Sequence, residues 1–264
     1  MHGEFDTILK GYVDAVLKNR NRELTPVWHD GFDKLLDTYL GKQPEEFTYN
    51  GKEYTPMSFA KDYVGVNPDD YVELSSYTHH PFYGKFILEV PDNWSYDQVY
   101  NLPIDELMEV MYHSVEQGYT IAWAADVSER GFSWKNGVAI VPEKDLENLQ
   151  GTEKSKWEDL TEEERQKMLY SFDGPVPEKN ITQEMRQEAF NNYTTTDDHG
   201  MHITGVAKDQ NGTKYFIVKN SWADDDHIYD GYFYASDAFA RYKTMDIMVH
   251  KDAIPDEIAQ KLGL

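Results

Sequence analysis

The sequence predicts an α+β fold, a small antiparallel β-barrel with helices packed round it. Three observations carry that reading. Apolar residues recur at helical spacing through the first part of the chain, the period shortens to two from about residue 71, and the last third is rich in alternating segments. At 264 residues, with 40% apolar and 14% aromatic residues, the chain is long enough for one large domain or two small ones around a sizeable core.

Phe5, Ile8, Leu9, Tyr12, Val13, Val16 and Leu17 mark an amphipathic helix over about residues 4–18. Thr25-Pro26 opens a second helix as N-cap and first helical residue, and Gly41 ends it. Residues 47–54 form a hairpin, because Asn50-Gly51 suits the two left-handed positions of a tight turn. Thr55-Pro56 starts a third helix. Residues 71–77, 85–90 and 119–127 read as strands, with a helix carrying Leu102, Leu107, Val110, Met111 and Val115 between the last two. Residues 143–192 are charged and polar but keep Trp157, Leu169, Phe172 and Phe190, so they read as helical decoration over the sheet. Thr161 and Glu164 form a capping box there, and Thr182 caps a further helix. Strands follow at 201–207, 214–219, 231–235 and 244–250, with a turn at Asp209-Gln210-Asn211-Gly212.

Lys plus Arg number 25 and Asp plus Glu 48, a formal net charge of -23. Such a surface repels nucleic-acid phosphates and anionic lipid, so neither is an expected partner. The chain has no cysteine, which excludes disulfides, thiolate metal sites and a cysteine nucleophile within it. No apolar run reaches the ~18 residues that suggest a membrane span, and Met1 to Asp6 lack the features of a signal peptide. The expected location is cytoplasmic, unless a leader stood on a part not included here.

The chemistry lies in Asp197-Asp198-His199-Gly200-Met201 and, 21 residues after the histidine, Asn220-Ser221-Trp222. In a thiol peptidase an imidazole takes the cysteine proton, and a third group, which can be an amide, holds the ring in orientation. A hairpin can present His199 at the start of one strand beside Asn220 at the end of the next, with Trp222 shielding their hydrogen bond. His202 faces away from His199. His79 and His80, read as adjacent strand residues, point to opposite faces, so no metal site is expected there. Asp224 to Asp226 lack the spacing and glycine of a calcium loop and read as a solvated turn. No cofactor is expected.

The blocks His199-Gly200-Met201, Val218-Lys219-Asn220-Ser221-Trp222 and Gly231-Tyr232 resemble the second half of a papain-like cysteine peptidase. Residues 75–83, 123–127, 242–245 and 251–255 narrow the resemblance to the bleomycin hydrolase and bacterial aminopeptidase C family. It runs from near residue 4 to the C-terminus. The resemblance implies a papain-like fold whose N-terminal part is missing, a helical insertion region over 1–46, and a β-rich domain over 47–264. Residues 256–264 would form a C-terminal arm in the cleft, where the carboxylate of Leu264 restricts cleavage to free peptide N-termini. It implies His199 as general base, Asn220 as orienting amide, Trp222 as shielding ring, and peptide hydrolysis through a thioester.

The family's nucleophile stands in a Gln-x5-Cys-Trp block with no counterpart here. Ser133-Trp134, the other Ser-Trp pair in the sequence, has Val127 at the glutamine position and is a decoy. Ala223 also replaces the glycine usual after Asn-Ser-Trp. The chain alone is therefore expected to be inactive. The alternatives are a non-catalytic pseudopeptidase serving as an interaction module, or a split enzyme completed by a separate cysteine-bearing chain. By family, a homo-hexamer is a possible assembly.

Overall fold

The computed structural model describes residues 2–222, 225 and 227–264. Ala223, Asp224 and Asp226 of the acidic turn lie outside them. The chain divides into two compact units, one ending at Asn67 and one spanning Pro68–Leu264. That boundary falls later than residue 46 because the hairpin closes on the segment after it.

In the first unit, helices α1 (His2–Leu17) and α2 (Trp28–Leu40) pair through aromatic side chains. Phe5 stacks on Tyr39 at 4.9 Å, and the Tyr12 hydroxyl donates to the Trp28 carbonyl at 2.7 Å. Gly31 leaves room for the Tyr12 hydroxyl at this crossing, since a Cβ there would force that ring to shift. Helix α2 starts after Val27, not at Pro26, and Val27 makes no side-chain cap. Thr25 instead accepts the Trp28 N–H in a preceding turn. Strands β1 (Phe47–Tyr49) and β2 (Lys52–Tyr54) join through Asn50 and Gly51, at φ 49° and 78°, as the tight turn demands. Thr55 and Ser58 cap α3 (Pro56–Phe59), which runs into a π-helical turn at Ala60–Val64. Phe59 lies 5.3 Å from each of Phe47, Tyr49 and Tyr54 and 4.8 Å from Tyr63, so the hairpin and helix share one aromatic cluster.

The second unit is built on a ten-stranded sheet. Its strands in chain order are β3 (Tyr71–Ser75), β4 (Lys85–Ile87), β5 (Gln98–Asn101), β6 (Ile121–Ala125), β7 (Phe132–Ser133), β8 (Val138–Ala139), β9 (His199–Lys208), β10 (Lys214–Lys219), β11 (Tyr232–Ser236) and β12 (Thr244–His250). The spatial order is β4-β5-β3-β12-β6-β9-β10-β11-β8-β7. The sheet is mixed, since β3 with β5 and β8 with β11 run parallel. Helix α4 (Ile104–Glu116) buries Leu107, Met108, Val110 and Met111 in the same core as Trp123, Ile203, Phe216, Phe233 and Ile247. Each such side chain stabilises the fold by about 1.5–3 kcal/mol relative to exposure.

Helices α5 (Gly151–Glu158), α6 (Glu162–Leu169) and α7 (Gln183–Asn191) occupy the polar stretch, and the Thr161 and Thr182 caps form as the sequence predicts. Helix α8 (Asp237–Lys243) and helix α9 (Asp256–Leu262) complete the unit. The segment expected as a C-terminal arm is thus a helix. Its Ile258 and Leu262 enter the main core, and Lys261 pairs with Glu106 at 2.8 Å. Strand β3 stops at Ser75, so His79 and His80 lie in a turn and the rule that strand neighbours face apart does not apply to them.

Candidate active site

Strands β9 and β10 are the central hairpin of the sheet, and their register decides what faces what. From Lys214↔Lys208 to Ile217↔Gly205 the pairing is regular, and then it shifts, so that Val218 pairs with Ile203 and Lys219 with His202. The bulge leaves Thr204 as the extra residue on β9. Were the first register to continue, Asn220 would stand opposite His202. The one-residue shift instead puts Asn220 on the face of Met201 and His199. The His199 ring reaches it, with Nε2 2.7 Å from Asn220 Oδ1. Asn220 is buried, and the same Oδ1 accepts the Ser221 N–H at 2.7 Å.

With Asn220 as acceptor, the proton sits on Nε2 and the lone pair on Nδ1. No hydrogen bond among the described residues engages that Nδ1. Trp222 lies 4.9 Å from the His199 ring, tilted by 41°, and is 40% exposed, so it covers one side of the pair. Phe132 and Trp134 pack edge-on against Trp222 at 5.7 and 5.5 Å, and His227 stacks on Trp134 at 3.8 Å. The sequence reading missed this aromatic wall, because β7 is too short to show a period.

The approach to His199 is held from below by charge. Asp198 accepts the Val127 N–H at 2.9 Å and the Ser128 hydroxyl. Asp126 accepts the Ser128 N–H at 2.8 Å and the Thr196 N–H at 3.1 Å. Lys243, fully buried, pairs with Asp126 at 3.4 Å and with Glu129, and donates to the Thr194 carbonyl at 2.6 Å and the Thr195 hydroxyl at 3.0 Å. The segment between α7 and β9 is therefore tied down on both sides. Burial, with the charges of Asp92 and Asp198, raises the Asp197 carboxyl to about 6.

His202 is exposed on the opposite face. The Ser133 hydroxyl accepts from the Asn136 side chain at 2.8 Å. Leu264 donates its N–H to the Ala259 carbonyl, and no hydrogen bond or ion pair among the described residues joins it to His199 or Asn220. A cavity of about 460 Å³ bounded by Glu178, Tyr215, Tyr229 and Tyr234 has neither His199 nor Asn220 in its lining.

The sequence is similar to aminopeptidase C of Streptococcus thermophilus, 25% identical over 268 residues that cover 96% of this chain and 53% of that protein. It is 22% identical to aminopeptidase E of Lactobacillus helveticus, over 94% of this chain and 52% of that one. Aminopeptidase W of Lactobacillus delbrueckii subsp. lactis is 24% identical over 87% of this chain and 48% of its own length. The chain thus spans about half the length of the curated relatives it matches. The crystal structure of PepW from Lactobacillus rhamnosis HN001 superposes with a TM-score of 0.61 at 20% identity, covering 98% of this chain and 55% of that one, which shows a shared papain-like α+β fold. Among the described residues, no helix is long and apolar enough to cross a membrane. Residues 33–168 and 169–263 match the Peptidase C1-like family, and the chain belongs to that family.

Proposed function

We propose that this chain supplies the base and its orienting amide to a thiol aminopeptidase site, and that the nucleophilic cysteine comes from polypeptide outside this sequence. The observation that carries the reading is the 2.7 Å contact of His199 Nε2 with buried Asn220 Oδ1, beneath Trp222. It stands in a chain similar to named aminopeptidases along nearly all of its length.

The chemistry follows from the tautomer. Asn220 holds the ring with Nδ1 outward, so Nδ1 takes the thiol proton and the imidazolium stabilises the thiolate. The thiolate attacks the first peptide carbonyl, and Nδ1–H returns the proton to the departing amine. Water, deprotonated by the same nitrogen, then hydrolyses the thioester. The chain contains no cysteine, so His199 has nothing to activate within it. Alone it is expected to hydrolyse nothing.

The test uses aminoacyl-coumarin substrates, free and N-acetylated. The isolated chain should release no coumarin. The chain produced together with a segment bearing a Gln-x5-Cys-Trp block, taken from the reading frame before the Met1 codon or from a companion gene, should cleave only the free-amine substrate and lose that activity on His199→Ala. Turnover by the isolated chain that disappears in His199→Ala would overturn the need for an outside thiol. A cysteine-bearing assembly whose activity survives His199→Ala would overturn the role of His199.

A further inference from the structure

Past β3 the chain turns through Thr78 to Pro81, and there His79 and His80 bring both imidazoles to one carboxylate. His79 Nε2 lies 3.0 Å from Glu89 Oε2 and His80 Nε2 lies 2.7 Å from Glu89 Oε1. The candidate ligand atoms of the three residues all lie within 4.8 Å of one another. We propose that His79, His80 and Glu89 form a binding site for a divalent transition cation of the zinc type, with water as fourth ligand.

The donor set selects the ion. Two imidazole nitrogens and one carboxylate oxygen suit Zn²⁺ and its neighbours, whereas Mg²⁺ and Ca²⁺ take oxygen ligands. The spacing also fits. Bonds of about 2.0 Å in a tetrahedron separate ligand atoms by roughly 3.3 Å, so the His–Glu contacts of 3.0 and 2.7 Å open slightly while the three ligand groups, within 4.8 Å of one another, draw round the ion. Glu89 is half exposed and free to make that adjustment.

The surroundings fix the rings as a ligand site requires. His79 stacks on Phe190 at 5.3 Å and 17°, and His80 stacks on Phe86 at 4.6 Å and 24°. Behind His79, the carboxamide of buried Gln187 sits at Nδ1, with Oε1 at 3.3 Å and Nε2 at 3.1 Å. Gln187 is itself held, since its Oε1 accepts the Thr78 N–H at 2.5 Å and its Nε2 donates to Asn191 Oδ1 at 2.9 Å. Without an ion, His79 Nε2–H donates to Glu89 and Nδ1 accepts from Gln187 Nε2; with an ion bound, Nε2 turns its lone pair to the metal and Nδ1–H donates to Gln187 Oε1, so the carboxamide supports either tautomer. Both imidazoles are about one-third exposed, so an ion can reach them from solvent.

The alternative is a clamp of hydrogen bonds from the two histidines to Glu89, with no affinity for metal. The full chain, stripped with a chelator, is titrated with Co²⁺ for its visible absorption and with Zn²⁺ by calorimetry. One equivalent should bind, with the absorption of a tetrahedral centre and a rise in melting temperature. Glu89→Gln, which keeps shape and hydrogen bonding, should weaken binding by roughly 10–100-fold or more, and His80→Asn should do the same, while His199→Ala binds as the parent does. No saturable one-equivalent binding at about 100 μM Zn²⁺, or binding that survives both Glu89→Gln and His80→Asn, would overturn the site.

Discussion

His199 and His79 each set one ring nitrogen against a side-chain carboxamide, Asn220 at 2.7 Å and Gln187 at 3.1–3.3 Å. Each also lies against an aromatic ring, Trp222 at 4.9 Å and Phe190 at 5.3 Å. The nitrogens are opposite. Asn220 takes Nε2 and leaves Nδ1 outward, whereas Gln187 takes Nδ1 and leaves Nε2 toward Glu89. One way of orienting an imidazole would therefore serve the two chemistries proposed, and what would decide between them is the group that the outward nitrogen meets. His79 meets a carboxylate that already belongs to the chain. His199 meets nothing among the described residues, which is what a base awaiting an outside thiol requires.

The sharpest break in the comparison is kinetic. In a cysteine-bearing assembly, His199→Ala should lower kcat/KM by about 10²–10⁴-fold, the usual worth of a positioned general base. His79→Ala should leave kcat/KM near the parent value. Coumarin release measured for both variants side by side checks this. An equal loss in the two would mean that the turn at His79 is part of the catalytic machinery.

A second break strikes the support the two histidines share. Lys243 holds Thr194 and Thr195, which link α7, the carrier of Gln187 and Phe190, to β9, the carrier of His199. Lys243→Ala leaves Asp126 buried without its cation and should cost about 3–5 kcal/mol in a urea unfolding curve. A loss below about 1 kcal/mol would show that water replaces the ammonium group at little cost.

How far the sequence foretold these two sites differs for a physical reason. His199, Asn220 and Trp222 lie on regular strands or next to them, where pattern and family blocks are readable. Even so, spacing alone would set Asn220 against His202, and only the bulge at Thr204 brings His199 to the amide face. The bulge falls within Thr204-Gly205, after only Met201 and Ile203 have set the alternation of β9, so the pattern does not mark it. The His79 turn was misread because Tyr71 to Tyr77 looks like an unbroken strand leading into it, although pairing ends at Ser75. There the Asn101 side chain takes over, accepting the Tyr77 N–H at 2.9 Å and donating to the Tyr77 and His80 carbonyls at 2.7 and 2.9 Å. The arm over residues 256–264 rests on family resemblance alone, whereas helix α9 buries Ile258 and Leu262 in the main core. The caps at Thr55, Thr161 and Thr182, which depend on residues three apart, were all legible.

Two buried carboxyls give the fold a pH dependence of its own. Beneath the β9 side, burial, with the charges of Asp197 and Glu73, raises the Asp246 carboxyl to about 7, against the pull of Arg186. Asp197 is raised to about 6 by burial and by Asp92 and Asp198. A carboxyl raised in the folded state binds its proton more tightly there than in the unfolded chain. Its contribution is complete below about pH 4 and is lost as the pH rises through 6 to 7. For Asp246 the loss amounts to at most roughly 4 kcal/mol. Stability measured by urea at intervals from pH 4 to 8 should fall across that window, and Asp246→Asn should flatten the slope. A slope unchanged in Asp246→Asn would assign the titration to other groups.

The smallest expected effect is the most direct test of the shared device. Gln187→Leu keeps the volume near α7 but removes the acceptor of the Thr78 N–H and the partner of His79 Nδ1. The Thr78 amide is only part-buried, so water takes over part of its bonding and a loss of about 1 kcal/mol is expected by urea unfolding. The His79 ring should then exchange between tautomers, visible in its nitrogen NMR shifts, and affinity for Zn²⁺ should drop by about tenfold or more. His199 should keep its Nε2 proton in the same spectra, because Asn220 is untouched. If Gln187→Leu leaves the His79 nitrogens as they were, then Glu89 alone sets that tautomer. The carboxamide is then a packing residue at His79, and an orienting one only at His199.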